Sequence, residues 1–144
     1  MDHVVYVDAQ AEELAHLLNG LTTMIIRGAT GRKLPYGRVE MGDRLYFINN
    51  NAEGVARAIG TVTHVLNSEK LTPEESIALV KQHQDKLQLT DKQFKRWAGK
   101  RYLVLIEVGD VEAIEPIRID KSSYGNMDDW LPVGDINTLC IEEL

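Results

Sequence analysis

With one cysteine in 144 residues, Cys140, the chain can form no internal disulfide and lacks the thiols of a Cys-rich metal site. It has no apolar run approaching the roughly 18–20 residues of a membrane-spanning helix. Its four histidines (His3, His16, His64, His83) show no metal-ligand spacing, and no Ser/His/Asp order stands out. Residues 1–26 contain no Lys or Arg, so the opening MDHVVYVDAQAEE carries acids where a secretory leader carries a basic region. Internal repeats, low-complexity tracts and linkers are also missing. These absences lead to the expectation of one domain over residues 1–144, cytoplasmic, without cofactor, metal or membrane association.

What is present is a segregation of charge. The net charge is −6, yet residues 27–101 hold 14 of the 16 Lys+Arg against 8 carboxylates. The flanks are acidic: −4 over residues 1–26 and −8 over residues 102–144. A positive field reaches only about 8–10 Å at physiological salt, so a local basic patch attracts phosphate even on an acidic protein, provided folding gathers it on one face.

His3–Val7 reads as a short strand, followed by Asp8 as N-cap of a helix over about residues 9–18 with Leu14, Leu17 and Leu18 on one face and Gly20 as its stop. Thr22–Arg27 reads as a buried strand. Residues 28–44, with four glycines, one proline and four basic residues, read as a loop and tight turn. Leu45–Ile48 begins a strand, Asn49-Asn50-Asn51 turns, and Gly54–Leu66 reads as a long strand bent at Gly60. Thr72-Pro73-Glu74-Glu75 and Thr90-Asp91-Lys92-Gln93 are capping boxes opening two helices, the first with Ile77, Val80 and Leu87 as its stripe, the second ending near Gly99. Tyr102–Val108 is the strongest strand; Val111–Ile119 predicts a further strand or two broken at Pro116, and the remainder an ordered loop. The fold class predicted is α+β: a small, mainly antiparallel β-barrel with helices packed around it.

Two segments then stand out together. Gly20-Leu21-Thr22-Thr23-Met24-Ile25-Ile26-Arg27 is similar to the pattern G-x-K-x-x-[ET]-x-R, and Gly42-Asp43-Arg44-Leu45-Tyr46-Phe47 is a Gly-Asp turn opening the next strand. In this order the chain resembles the activating-signal-cointegrator homology (ASCH) domain of the PUA-like superfamily, most clearly over residues 14–108. The resemblance implies a PUA-like barrel and a nucleotide or nucleic-acid ligand. Some small family members are amidohydrolases of acetylated cytidine, using a lysine and a threonine of this motif and a later glutamate. Gly20 and Arg27 match the motif, but its lysine position is Thr22 and its acid-or-threonine position is Ile25. Isoleucine has no oxygen to attack a carbonyl and threonine cannot replace a lysine, so that chemistry does not carry over.

Gly28–Lys33 (GATGRK) lacks the Gly-Lys pair and following helix of a nucleotide-triphosphatase loop, but its glycines let amides approach a sugar-phosphate backbone while Arg32 and Lys33 supply charge. Lys92, Lys95, Arg96, Lys100 and Arg101 crowd around Trp97, with Lys92, Lys95 and Arg96 at i, i+3, i+4 spacing. Tyr124–Trp130 sets Asp128 and Asp129 beside two aromatics, as a base-edge site or as a structural loop with Trp130 plugging the barrel.

The expected function is a non-catalytic RNA- or nucleotide-binding module. Its candidate residues are Thr22, Arg27, Arg32, Lys33, Tyr36, Lys92, Lys95, Arg96, Lys100, Asn126 and Trp130. Arg27, Lys33, Arg96 and Lys100 would contact phosphate, Tyr36 or Trp130 would stack on a base, and Asn126 would read a base edge. One alternative is a hydrolase of a modified nucleoside with a rearranged site: Lys33, Thr22 or Thr23, and Glu40 or Glu53. Another is an interaction domain whose acidic C-terminal tail engages a basic partner or covers the chain's own basic core. Nothing in the sequence fixes the oligomeric state.

Overall fold

The computed structural model describes residues 1–120, 129–138 and 140–141. Its strands are β1 (Asp2–Val7), β2 (Met24–Ala29), β3 (Arg44–Asn49), β4 (Val55–Asn67), β5 (Tyr102–Ile119), β6 (Trp130–Gly134) and β7 (Cys140–Ile141). Its helices are α1 (Glu13–Leu18), α2 (Pro73–Gln82), α3 (Gln84–Leu87) and α4 (Asp91–Trp97). The strands form one sheet ordered β2-β5-β4-β3-β1-β6, with β7 paired to β5. The pairs are antiparallel except β1 with β3, which run parallel.

The sheet curls into a half-barrel, so its two ends meet around one core. Ile25 from β2 and Trp130 from β6 belong to the same inner cluster as Val5, Phe47, Val62 and Ile106, and Leu14 and Leu17 of α1 close one end of it. A second cluster lies on the outer face, where Val80, Leu87 and Trp97 of the helices pack on Met24, Ile26, Leu103 and Leu105. Strand β5 therefore buries alternate side chains on opposite faces, which accounts for its unbroken apolar run.

Both capping boxes form. Thr72 Oγ1 accepts from the Glu75 amide and Glu75 Oε1 from the Thr72 amide, with Pro73 in the first turn. Thr90 and Gln93 repeat the exchange at α4. The stripe after Pro73 is divided: α2 ends at Gln82, and Leu87 is buried from the separate helix α3.

Three expectations are corrected. The first helix starts at Glu13, not residue 9, because the Asp8 carboxylate accepts from the Gln10 and Ala11 amides and holds a non-helical turn there; Leu18 is exposed. Strand β5 runs through Pro116 without a break, since Pro116 falls in an irregular stretch of the β4–β5 ladder, between the pairs Ala58–Ala113 and Ala56–Ile117, where its missing N–H costs no ladder bond. The tail, read as loop, supplies β6, which adds to β1 antiparallel.

That addition buries a polar trio. Trp130 Nε1 donates to His3 Nδ1 at 3.1 Å, so His3 carries its proton on Nε2 and donates to Asp43 Oδ2 at 2.8 Å. Burial works against an ionised Asp43, but hydrogen bonds from the Glu40 amide and the His3 ring outweigh it and hold its pKa below the ordinary carboxylate value. No helix among the described residues is long and apolar enough to cross a membrane.

Candidate functional site

Strand β2 pairs antiparallel with β5, setting Arg27 opposite Val104 and Ala29 opposite Tyr102. This register brings the loop after β2 next to the chain leaving α4. Gly99, at φ +96°, lets the chain reverse out of the helix. Gly28 permits the close approach, because a Cβ there would stand 2.8 Å from Leu103 Cδ2 and 3.2 Å from Lys100 Cβ. Between the two segments lies a recess of about 270 Å³. Arg27, Lys33, Arg96 and Lys100 line it together with Tyr36, Trp97, Tyr102 and Asp129.

Arg27 is the innermost cation, with only 7% of its surface exposed. Its alternate position to Ile26 points it to the inner side of the curled sheet, where Nη2 donates to the Tyr6 carbonyl of β1 at 2.6 Å and Nη1 to the Ile26 carbonyl at 2.7 Å. The guanidinium also lies 5.7 Å from the Trp97 ring and 5.8 Å from the Trp130 ring. Nε is buried and, among the described residues, makes no hydrogen bond. Asp129 Oδ2 sits 3.2 Å from it, close enough for an ion pair but off the N–H axis. The same carboxylate oxygen is 3.8 Å from Arg96 Nη2. The Arg96 guanidinium carbon itself lies over Trp97, 4.3 Å from the ring centre, with the side chain 60% exposed.

Across the recess, the Tyr36 hydroxyl donates to the Ser68 carbonyl, and its ring meets Tyr102 edge-on at 5.7 Å. The Arg32 guanidinium lies over both rings, at 5.8 and 5.6 Å. Glu13 lies within electrostatic reach of Arg27 and Arg96. Burial raises its pKa above the ordinary carboxylate value, although the positive charges of Arg27 and Arg96 pull the other way. Its Oε1 accepts from the Asp8 amide at 3.2 Å. Among the described residues, four cations line the recess against one carboxylate, which makes this lining positive.

The sequence-derived candidates divide as follows. Arg27, Lys33, Tyr36, Arg96 and Lys100 converge on the recess, and Arg32 covers its tyrosines. Thr22 does not reach it: it is buried in the turn after α1, where its amide donates to the His16 carbonyl. Ile25 lies in the inner core. Lys92 and Arg96 border a neighbouring cleft, whereas Lys95, about 100° round the helix from Arg96, is exposed and lines neither. Trp130 cannot stack on a base, because it is 1% exposed and packed in the inner core. Asn126, with Tyr124 and Asp128, lies outside the described residues. The rearranged hydrolase site is not assembled either: of its residues Lys33 alone lines the recess, and Glu53 pairs with Arg57. Tyr102 and Glu13 were not singled out from sequence. Tyr102 had a signal in its alternation with Val104 on one face of β5; Glu13 had none.

No family model and no curated protein matches this sequence. Among solved structures, ASCH from Zymomonas mobilis is similar at TM-score 0.70 and 12% identity, over 95% of this chain and 90% of that one. Two point variants of the same Zymomonas protein give TM-score 0.70 and 12% identity over 95% of this chain, with 93% and 91% of theirs covered. The chain thus has the α+β, half-barrel fold of ASCH domain structures, in agreement with the motif order Gly20–Arg27 then Gly42–Phe47.

Proposed function

We propose that this protein is a non-catalytic binding module for RNA or a nucleotide-like ligand, which it holds by phosphate and sugar at the recess between β2 and the end of α4. The observation that carries this reading is the convergence of Arg27, Lys33, Arg96 and Lys100, from two segments far apart in the chain, around one opening edged by Tyr36 and Tyr102. Arg27 Nε is buried and, among the described residues, makes no hydrogen bond; the Asp129 carboxylate 3.2 Å away is its counter-charge, and an anionic ligand would compete with it for this guanidinium. A volume of about 270 Å³ is at the small end of small-molecule sites, which start at roughly 300 Å³, and is the scale of a single nucleotide's phosphate and sugar rather than of a duplex. The motif positions that carry chemistry in the acetylcytidine hydrolases are a buried threonine and a core isoleucine here, which supports binding without turnover.

The test is fluorescence anisotropy with a labelled single-stranded RNA and with mononucleotide competitors across a salt series. Affinity should fall with salt at about −0.7 log units per phosphate contacted, and the Lys33→Ala/Lys100→Ala double variant should flatten the slope by about 1.4. Absence of binding to any RNA or nucleotide at about 50 mM salt would end the reading.

A further inference from the structure

The positive recess has a neighbour of different chemistry. A second cleft, of about 600 Å³, shares Arg96 with it and is bordered by Asp8, Gln10, Asn50, Lys92 and Gln93. The segments that build it are the turn after β1, the turn after β3 and helix α4.

Hydrogen bonds within the cleft engage its side-chain acceptors. Asn50 Oδ1 accepts from the Ala9 amide at 2.8 Å, and Gln10 Oε1 from Lys92 Nζ at 3.4 Å. Gln93 Oε1 accepts from the Thr90 amide at 3.0 Å. Asp8 Oδ1 accepts from the Gln10 and Ala11 amides at 3.0 and 3.1 Å, and its Oδ2 from Gln93 Nε2 at 3.4 Å. What these bonds leave unspent is donor capacity: the amide nitrogens of Gln10 and Asn50, the further protons of Lys92, and the edge of Arg96. Among the described residues, two cations border the cleft against one carboxylate, so it is less positive than the recess and suits neutral oxygen acceptors where the recess suits phosphate.

Arg96 stands between the two. Its guanidinium carbon lies 4.3 Å from the Trp97 ring centre and its side chain is 60% exposed, so it keeps N–H donors open to a ligand although Asp129 Oδ2 stands 3.8 Å from Nη2. A phosphate held there would have the recess on one side and the amide-bordered cleft on the other.

We infer that the two clefts are adjacent subsites for one single-stranded oligonucleotide of at least two nucleotides. The first nucleotide occupies the recess, Arg96 binds the bridging phosphate, and the second cleft receives the next nucleotide through its base carbonyl and ribose oxygens. This rests on the recess being a nucleotide site, and it narrows that reading from nucleotides in general to short single strands.

Calorimetry with uridine monophosphate and with 5′-phosphorylated diuridylate at low salt tests it. The dinucleotide should bind about tenfold tighter or more, because the second nucleotide is delivered intramolecularly. Gln10→Ala and Lys92→Ala alter exposed side chains outside the core, so both should fold. In each, the ratio of dinucleotide to mononucleotide affinity should fall to within about threefold. A wild-type ratio near one, with the monophosphate still bound, would refute the second subsite and leave the recess standing. A ratio unchanged in both variants would also refute it. Binding of neither ligand would remove the recess reading and this inference with it.

Discussion

Replacing Asp129 with asparagine separates attraction from competition at the recess. The Asp129 carboxylate lies 3.2 Å from Arg27 Nε and 3.8 Å from Arg96 Nη2, so it occupies the guanidinium edges a ligand phosphate would seek. Asparagine keeps the shape and removes the charge. At a separation of roughly 5 Å, a carboxylate and a phosphate repel by about 0.8 kcal/mol in water and about 3 kcal/mol at an effective dielectric constant near 20. The Asp129 side chain is 39% exposed, which places the effect towards the lower end, at about 1–1.5 kcal/mol or a roughly 5–12-fold gain in affinity. Losing the exposed pair with Arg96 should cost the fold no more than about 1 kcal/mol, and losing the pair with the buried Arg27 about 1–3 kcal/mol, since asparagine can still offer it an oxygen. The assay is anisotropy of a labelled single-stranded RNA on wild type and Asp129→Asn, with thermal denaturation in parallel. The gain should shrink between about 50 and 200 mM salt as screening grows. Equal or weaker binding at low salt, in a variant that thermal denaturation shows to be folded, would refute the reasoning: the carboxylate would then be a ligand contact, or the ligand would not sit on these guanidinium groups.

Two further outcomes follow from buried groups. Trp130→Phe leaves His3 Nδ1 without its donor inside the core and should lower unfolding stability by about 1–3 kcal/mol, read from urea denaturation; a loss under about 0.5 kcal/mol would contradict the buried trio. Glu13→Gln removes a carboxylate whose burial raises its pKa above 4.5. Between the unfolded and the raised native value the native state holds more protons, so wild-type stability falls as pH rises through that window and stays lower above it. The glutamine variant can still accept the Asp8 amide and should melt higher than wild type at pH 7, with the difference vanishing below about pH 4; a wild type at least as stable at pH 7 would overturn this.

What the sequence disclosed was the local part of this structure. A capping box is complete within four residues, so Thr72–Glu75 and Thr90–Gln93 could be read directly and both form. The apolar run of Tyr102–Val108 announced a strand, and the structure covers it on both faces by dividing it between two cores. Pro116 misled because a proline is disruptive only where a ladder bond is required, and the irregularity of the ladder there depends on a partner strand about 60 residues away. Trp130 could be read two ways, stacking on a base or plugging the barrel; the structure takes the second, and no local pattern announces the hydrogen bond to His3, 127 residues earlier, that accompanies it. Charge segregation disclosed that two basic segments exist, but their meeting depends on the β2–β5 register. The second cleft drew no attention because its borders are largely uncharged amides from three distant turns and helices, each ordinary in its own surroundings.

Arg27 serves the architecture as well as the recess. By donating to the Tyr6 carbonyl it fastens the first strand to the one that begins the sheet order, two strands that share no ladder. A relative that had lost all affinity for a ligand would still need that fastening. Persistence of an arginine at this place in other chains would therefore mark how the half-barrel is held shut, and inheritance of the ligand is better traced through Lys33, Arg96 and Lys100, which carry no such duty.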